Sequence, residues 1–290
     1  GMTGTLPCLN KRGVEFAIRV CHALHMEIDE LLCFDRKNYY YSDLPKGFQI
    51  TQDKRPIGRN GYLMIEVDGE EKRIDIERLH MEEDTAKQLH LTDYSLIDYN
   101  RAGIPLLEIV TKPCIRSGKE ASAYLEALRQ VFLYTEVSDA KLEEGSMRCD
   151  VNVSIRPFGQ EAFGTRTEIK NLNSISNVQK AIDYEAGRQQ EVIESGGEVL
   201  QETRRYDEIN KTTVFKRGKV DAIDYKYYTE PNIPPIKLRE EYINSIRKDM
   251  PVLEYERKKK YIDEYLTEYE GIKNFMENMT EKAKETGYVE

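Results

Sequence analysis

The strongest constraint on the fold is a short segment of alternating residues that turns back on itself. Apolar side chains recur at every second position from Leu63 to Val67 and again from Ile74 to Ile76, and Asp68-Gly69 lies between the two runs. An Asp-Gly pair between two period-two runs predicts an antiparallel β-hairpin with one buried and one solvated face.

Helices interrupt the strands without the regular rhythm of a parallel βαβ fold. Helix starts are predicted at Asn10, at Ser117 with Glu120 three residues on, and at Asn173 or Ser174, the last helix ending at Gly196-Gly197. His22 and His25 fall on the first helix, where a histidine is more often structural than a ligand. Antiparallel hairpins mixed with such helices predict the α+β class.

Composition divides the chain and limits its possible roles. Beyond Pro235 the sequence is rich in Lys, Glu and Tyr and helical in pattern, so we predict one domain over 1–237 and a helical segment over 238–290. The basic run Arg257–Lys260 is most simply a solvated helix turn, with a binding site as the alternative.

The charge and the cysteines exclude several classes of protein. The 43 Lys and Arg against 52 Asp and Glu give a net charge of −9, which argues against a surface coated in basic charge for nucleic acid and leaves room for a local basic patch. The five cysteines form no Cys-x-x-Cys pair, which argues against a disulfide frame or a zinc knuckle. No apolar run approaches the ~18 residues of a membrane span, so we expect a cytoplasmic protein with no membrane partner.

A second alternating segment carries polar chemistry. From Met147 to Arg156 one predicted strand face is apolar, and the other consists of Arg148, Asp150, Asn152, Ser154 and Arg156. The next strand, Thr165–Lys170, continues with Arg166, Glu168 and Lys170. Mixed cations, anions and amides suit a polar, charged ligand, although an ordinary solvated face remains open.

Four carboxylates stand out by their context: Glu82, Glu83, Glu108 and Asp150. Glu82 and Glu83 end the returning hairpin strand, and Glu108 lies in the apolar run Leu106–Val110, which we predict to be a buried strand. Clustered carboxylates suit Mg²⁺-nucleotide chemistry, and nearby cations would neutralise phosphoryl oxygens: Lys37, Arg148, Arg156 and Lys170. The alternative is that Glu82-Glu83-Asp84 is an exposed acidic turn.

Two common enzyme signatures are absent from the sequence. The Ser-Gly-Lys within Arg116–Glu120 lacks the upstream glycine of a phosphate-binding loop, which is Pro113 here. There is no Gly-x-Ser-x-Gly turn and no recognisable Cys/His pair, so nucleophilic hydrolysis is disfavoured.

Seven blocks of sequence closely resemble the GatB family, which forms one subunit of bacterial glutamyl/aspartyl-tRNA amidotransferases. They are FDRKNYYYSDLPKGFQITQ (34–52), RLHMEEDTAK (78–87), DYNRAGIPLLEIVTKP (98–113), EEGSMRCDVNVSIRP (143–157), TEIKNLNS (167–174), ETRRYDE (202–208) and DYKYYTEPNIPP (224–235). The resemblance runs in order from about residue 5 to 237 and weakens in the helical tail.

The resemblance implies a role in a heterotrimeric, tRNA-dependent amidotransferase, a glutamine-hydrolysing ligase. Members of the family use Mg²⁺ and ATP to phosphorylate the side-chain carboxylate of misacylated Glu-tRNA(Gln) or Asp-tRNA(Asn). Ammonia from the amidase subunit then displaces the phosphate, and the enzyme is completed by a small third subunit. The family's catalytic domain is a cradle around an antiparallel sheet, similar to glutamine synthetase and guanido kinases.

Site roles follow from the matching blocks. The resemblance implies catalytic roles for Lys37, Glu83 and Asp150, with Lys37 contacting phosphate or the acyl intermediate. It implies that Glu83, Glu108 and Asp150 bind Mg²⁺, with Glu82 as an alternative ligand. Four residues are candidates to hold ATP phosphates or the tRNA terminus: Arg148, Asn152, Arg156 and Lys170.

The chain also departs from the family pattern. The family's N-terminal strand with a Glu-x-His, the loop after it, and the C-terminal helical and tail segments have no counterpart here, and Cys114 stands where relatives usually have Asp. We therefore expect a fragment truncated at both ends and inactive by itself. The alternative function is a non-catalytic platform that binds tRNA and the other subunits.

Overall fold

The computed structural model describes residues 5–218 and 224–285 and confirms the α+β class. Helices and mainly antiparallel sheets alternate along the chain. The described helices are α1 (Lys11–Ala23), α2 (Gly118–Tyr134), α3 (Ile175–Glu194), α4 (Glu240–Lys248) and α5 (Glu254–Glu285). The strands are β1 (Glu27–Ile28), β2 (Leu31–Leu32), β3 (Asp35–Asn38), β4 (Phe48–Thr51), β5 (Gly58–Val67), β6 (Glu70–Glu83), β7 (Lys87–His90), β8 (Ser95–Asp98), β9 (Pro105–Thr111), β10 (Val151–Val153), β11 (Thr167–Lys170), β12 (Glu202–Asp207), β13 (Thr212–Gly218), β14 (Tyr228–Thr229) and β15 (Ile236–Lys237).

The predicted hairpin is the centre of the first sheet. Strands β5 and β6 pair antiparallel through Asp68-Gly69, where both residues have the positive φ of a type I′ turn, 54° and 83°. The sheet order is β1-β5-β6-β9. One face is apolar and fully buried at Ile74 and Ile76, because α1 and α2 pack against it.

Strand β9 confirms a strand at Leu106–Val110 but corrects its predicted burial. It lies at the edge of the sheet, where β6 is its one partner among the described strands, and its residues are half-buried or exposed rather than buried. Glu108 is 51% exposed. The apolar run therefore does not mean that the strand is buried on both faces, because the helices that pack on the first sheet leave this edge strand partly exposed.

The second sheet has the order β10-β11-β12-β13, with only β11 and β12 parallel. The long strand predicted over Met147–Arg156 is present only as Val151–Val153, although burial alternates as expected from Met147 to Val153. Helix α3, capped by Ser174 as predicted, packs behind the sheet. Its fully buried Glu185 accepts hydrogen bonds from Arg188 at 2.6 Å and Thr213 at 2.7 Å.

Three small sheets complete the described strands. Strand β3 lies between β14 and β4, β15 pairs with β2, and β7 pairs with β8 as a separate hairpin between β6 and β9. The five cysteines form no disulfide. The Nε2 atom of His22 donates a hydrogen bond to the Ile243 carbonyl, and His25 stacks on Tyr62, so both have structural contacts.

The chain divides into two compact units between Met250 and Pro251. The first unit includes α4, which packs on α1, so it extends past the predicted boundary at 238. The second unit contains α5, in which the basic run Arg257–Lys260 occupies one exposed helix turn. Whether the functional domain ends at residue 237 stays a prediction.

Within the described residues, no helix combines the length and apolar character that a membrane-spanning segment requires.

The buried carboxylate of α3 generates a stability prediction. Burial raises the pKa of Glu185, but hydrogen bonds from Arg188, Gln189 and Thr213 outweigh that effect and leave its pKa lowered. We expect Glu185→Ala to lower the free energy of unfolding by about 3 kcal/mol, because it leaves Arg188 and Arg204 with Glu202 as their shared carboxylate and removes a buried hydrogen-bond acceptor. Glu191→Ala, at an exposed position of the same helix, should change it by less than about 0.5 kcal/mol.

Chemical denaturation across pH checks this prediction. Because its pKa is lowered on folding, Glu185 contributes stability above its unfolded pKa, and that contribution is lost as pH falls through the folded pKa. An unfolding free energy that is unchanged in Glu185→Ala, at neutral pH, would contradict the role given to this network.

Candidate active site

One face of β6 gathers a histidine and two carboxylates. Side chains alternate along the strand, so His80 and Glu82 lie on the same face, and β9 places Glu108 directly opposite His80. The Nε2 atom of His80 lies 3.5 Å from the Oε2 atom of Glu82 and 3.8 Å from the Oε2 atom of Glu108. We name this set the His80 cluster; its three potential ligand atoms all lie within 4.8 Å of one another.

The charge of the His80 cluster is not balanced by lysine or arginine. Among the described residues, neither Glu82 nor Glu108 forms an ion pair with either type. His80 is 3% exposed, and its buried Nδ1 atom has no hydrogen-bond partner within the same part of the chain. Two carboxylates and one imidazole nitrogen are a donor set that fits a divalent cation such as Mg²⁺ or Mn²⁺.

Glu83 lies on the opposite face of β6 and belongs to a different site. Both of its carboxylate oxygens lie 2.7 Å from the ammonium of Lys46, and one accepts a hydrogen bond from the amide of Ile50 at 3.0 Å. Glu83 is therefore held by Lys46 and β4, and it does not join Glu108. The expectation that Glu83, Glu108 and Asp150 hold one cation is not met, because consecutive residues of a strand face opposite ways.

Lys46 is a site residue that sequence reasoning missed. It is separated from Glu83 by 37 positions and lies in a loop, outside any periodic segment. Lys37 and Lys46 both lie in the block 34–52 that resembles the GatB family. Nothing in the local sequence indicates which of the two lysines contacts a carboxylate.

Asp84 forms a buried link between two parts of the site. Its Oδ2 atom lies 3.0 Å from Nε of Arg101 and 2.5 Å from Nη2 of Arg148, and the side chain is 6% exposed. Arg148, expected to hold phosphates, is thus paired with Asp84. The same pair ties the segment that leads to Asp150 to the end of β6.

Asp150, Asn152 and Lys170 share the polar face of the second sheet, as predicted. The Nζ atom of Lys170 lies 2.5 Å from Asp150 and 3.4 Å from Glu168, and Asn152 pairs with Glu168 across β10 and β11. Burial lowers the pKa of Lys170, but Asp150 and Glu168 outweigh it and leave the pKa raised. Lys170 is therefore a held cation beside Asp150.

Arg156 contacts its own loop rather than the polar face. Its guanidinium donates to the Glu161 carbonyl and lies 4.7 Å from the centre of the Phe163 ring. These contacts separate it from Asp150. The strand that was predicted to carry Arg156 onto the polar face ends at Val153.

Lys37 lies among tyrosines rather than carboxylates. Its ammonium is 4.6 Å from the ring centre of Tyr225 and 5.6 Å from that of Tyr39, and no described carboxylate pairs with it. Burial raises the pKa of Tyr39, and the negative charges of Asp43 and Glu82 raise it further. The aromatic group around Lys37 therefore lies near Glu82 of the His80 cluster.

Comparison with known proteins gives one consistent result. The model of the GatB/GatE catalytic domain matches residues 1–244. The chain is similar to proteins named as a subunit of aspartyl/glutamyl-tRNA(Asn/Gln) amidotransferase from Mesoplasma florum, 56% identical over 262 residues, and from Staphylococcus saprophyticus, 55% identical over 262 residues. These matches cover 90% of this chain.

A third relative extends the similarity slightly. The protein of the same name from Carboxydothermus hydrogenoformans is 51% identical over 277 residues, or 93% of this chain. The chain spans a little over half the length of these relatives, between 55% and 58%. With a family match over most of its residues and relatives above 50% identity, the chain belongs to the GatB/GatE catalytic domain family.

Proposed function

We propose that this chain is the kinase and transamidase part of a tRNA-dependent amidotransferase. The observation that carries the proposal is the His80 cluster: among the described residues its two carboxylates have no lysine or arginine partner, and Tyr39, beside Lys37, lies near Glu82. Its substrate would be a tRNA that carries glutamate or aspartate in place of the amide. The names of the relatives, which specify aspartyl/glutamyl-tRNA, support that substrate class.

The reaction divides into two steps. A carboxylate oxygen of the tRNA-bound amino acid attacks the γ-phosphorus of ATP, ADP leaves, and an acyl phosphate forms. Ammonia then attacks the carbonyl carbon, phosphate leaves, one proton is lost, and the amide remains. Phosphorylation is required because an ionised carboxylate is a poor electrophile and has no good leaving group.

The residues have distinct roles in this scheme. The His80 cluster would hold Mg²⁺, which neutralises phosphate charge when bound. Lys37 would contact the transferred phosphoryl group, because no described carboxylate competes for its ammonium. Glu83 lies on the other face of β6, where Lys46 and the Ile50 amide hold its carboxylate, so we assign it the positioning of β6 and β4 rather than a part in the reaction.

The polar face of the second sheet would orient the substrate. Asp150 and Lys170 form a pair that is partly exposed, and Asn152 lies beside them as an uncharged hydrogen-bonding group. We assign ATP phosphates or the tRNA terminus to this face. The cradle arrangement of the two sheets around one substrate is part of the proposal.

The alternative is a non-catalytic platform that binds tRNA and other subunits. A surface that only binds RNA would gain nothing from two uncompensated carboxylates, since they repel phosphates. The His80 cluster therefore favours the enzyme over the platform.

A separate surface fits the assembly with other subunits. In the β7–β8 hairpin, Leu89 pairs with Leu96, and Leu91 and Tyr94 extend the same face; all four side chains are roughly half exposed. The other face contacts the loop at Ser42 through Gln88. A two-stranded hairpin is marginally stable alone, so its apolar face requires a cover. We propose that this face packs against the amidase subunit and that the small subunit joins the same complex. The relatives support an assembly of subunits, because each is named as one subunit of an amidotransferase.

Cation binding tests the His80 cluster. We expect Glu82→Gln to weaken the binding of Mn²⁺ to this chain by roughly tenfold or more, because it removes a charged ligand. Glu83→Gln is the matched control, since the neighbouring residue faces away from the cluster, and it should leave the affinity unchanged. Electron paramagnetic resonance titration of free Mn²⁺ measures both. Equal losses in the two variants would contradict the assignment.

Amidation tests the polar face. In the complete three-subunit enzyme, Asp150→Ala should lower ATP-dependent amidation of Glu-tRNA by at least roughly 100-fold, while glutamine hydrolysis at the amidase centre survives. The unfolding free energy should change by less than about 1 kcal/mol, because Asp150 and Lys170 form a partly exposed pair. Glu198→Ala, at an exposed carboxylate outside the site, is the control. Full amidation by Asp150→Ala would remove Asp150 from the mechanism.

Association tests the hairpin surface. The double substitution Leu89→Asp with Leu96→Asp should weaken binding to the amidase subunit by about tenfold or more, since charge replaces apolar contact area. Ser95→Asp lies on the other face of the same hairpin and should leave the affinity unchanged. Surface plasmon resonance with the amidase immobilised measures both. Undiminished binding by the double variant would place the subunit interface elsewhere.

A further inference from the structure

We infer that Tyr40 and Tyr41 form a stacking platform for the unpaired 3′ nucleotides of the RNA substrate. The inference rests on the proposed function, which supplies a tRNA as substrate. It adds a binding surface outside the His80 cluster and identifies which part of the RNA binds there.

The platform consists of two consecutive exposed aromatic rings. Tyr40 is 96% exposed and Tyr41 is 59% exposed, so neither belongs to the core. The Tyr40 ring lies beside Gly47, where a Cβ atom would approach ring atom Cε1 to 3.2 Å. Gly47 has φ +75°, which glycine adopts without strain. Because glycine has no side chain, Gly47 accommodates both the turn of the backbone and the neighbouring Tyr40 ring.

The loop beneath the rings is ordered by its own contacts. The amide of Leu44 donates to the Tyr41 carbonyl at 3.0 Å, and the amide of Gly47 donates to the Leu44 carbonyl at 3.1 Å. Leu44 is buried and anchors the loop to the core. The segment encloses an open recess of about 500 Å³, within the ~300–1,000 Å³ that binding sites for small groups occupy. Preorganisation of this kind lowers the entropic cost of binding.

The recess adjoins the carboxylates at the end of β6. Lys46 forms part of its lining and also binds Glu83. Tyr39 directly precedes the platform, and its ring centre lies 5.6 Å from the Lys37 ammonium. Burial raises the pKa of Tyr39, and Glu82 lies near enough for its carboxylate to raise that pKa further. A nucleotide chain stacked on Tyr40 and Tyr41 would therefore end close to the residues that act on its attached amino acid. A net charge of −9 weakens the general electrostatic attraction of this chain for RNA phosphates. Stacking supplies affinity for unpaired bases without positive charge.

Two consecutive aromatic residues that line one recess favour an RNA end over the adenine of ATP. Consecutive bases of a single strand stack on successive aromatic side chains, whereas a mononucleotide has one base. Both rings lie at the surface, where a strand that enters from solvent meets them first. The ATP phosphates have candidate sites elsewhere, at the His80 cluster, at Lys37 and on the polar face of the second sheet.

RNA binding by the 290-residue chain tests the inference. The ligands are two labelled acceptor-stem minihelices that differ only in an unpaired 3′ end, and fluorescence anisotropy gives their Kd values. The wild-type chain should bind the minihelix with the unpaired end more tightly. Tyr40→Ala and Tyr41→Ala should each weaken that binding by roughly 5- to 100-fold and leave the blunt minihelix unaffected. Tyr40→Phe should retain the affinity, because it keeps the ring.

The controls separate stacking from other effects. Phe158→Ala removes another fully exposed aromatic ring and should leave RNA binding unchanged. The affinity for Mg·ATP should be the same in all variants. The inference is wrong if the wild-type chain shows no preference for the unpaired end, if Tyr40→Ala binds it normally, or if the loss falls on ATP. If the complete enzyme failed to amidate Glu-tRNA while the chain still preferred the minihelix with the unpaired 3′ end, the proposed function would be wrong and the platform would stand.

Discussion

The alternation of side chains along β6 determines which acidic residues of this domain lie together. Glu82 and Glu83 are neighbours in sequence, yet the strand sends them to opposite faces. Glu82 meets His80 and Glu108, whereas Glu83 meets Lys46. A slip of one residue in the pairing with β9 would exchange these environments and bury the wrong face. Leu79 and Met81, which are buried and follow the register shift between Ile76 and Arg78, fix the register of this end of the strand, so core packing and site geometry depend on one constraint.

Charge compensation distinguishes the His80 cluster from the other acids of the site. Glu83 has Lys46, Asp84 has Arg101 and Arg148, and Asp150 has Lys170. These pairs are complete without a ligand and position the strands and loops that carry them. Glu82 and Glu108 lack such partners in the described part of the chain, which is the condition under which a bound cation is most favourable.

Local features of the fold follow from the sequence. The type I′ turn at Asp68-Gly69 and the helix caps at Asn10, Ser117 and Ser174 require only neighbouring residues, and all are confirmed. The edge position of β9 was not predicted, because an apolar run does not reveal how many neighbours cover a strand. Likewise, the predicted strand over Met147–Arg156 is mostly irregular, since only three of its residues find a pairing strand.

The site was predictable in its residue types and less so in its groupings. The carboxylates were identified from their context, but their partners come from distant segments, as with Arg148 and Asp84 or Lys46 and Glu83. Pairings of this kind depend on tertiary contacts that periodicity does not encode. The proposed chemistry comes from the family resemblance, whereas the strand geometry replaced Glu83 with Glu82 in the proposed cation site.

The most direct test of the account is the position of a bound metal. Crystals of the protein grown with Mn²⁺ and measured at the manganese absorption edge should show one anomalous peak between β6 and β9. The account predicts carboxylate oxygens of Glu82 and Glu108 as ligands, roughly 2.0–2.3 Å from the metal. A peak bound by Glu83 or by Asp150, with none at the His80 cluster, would contradict it.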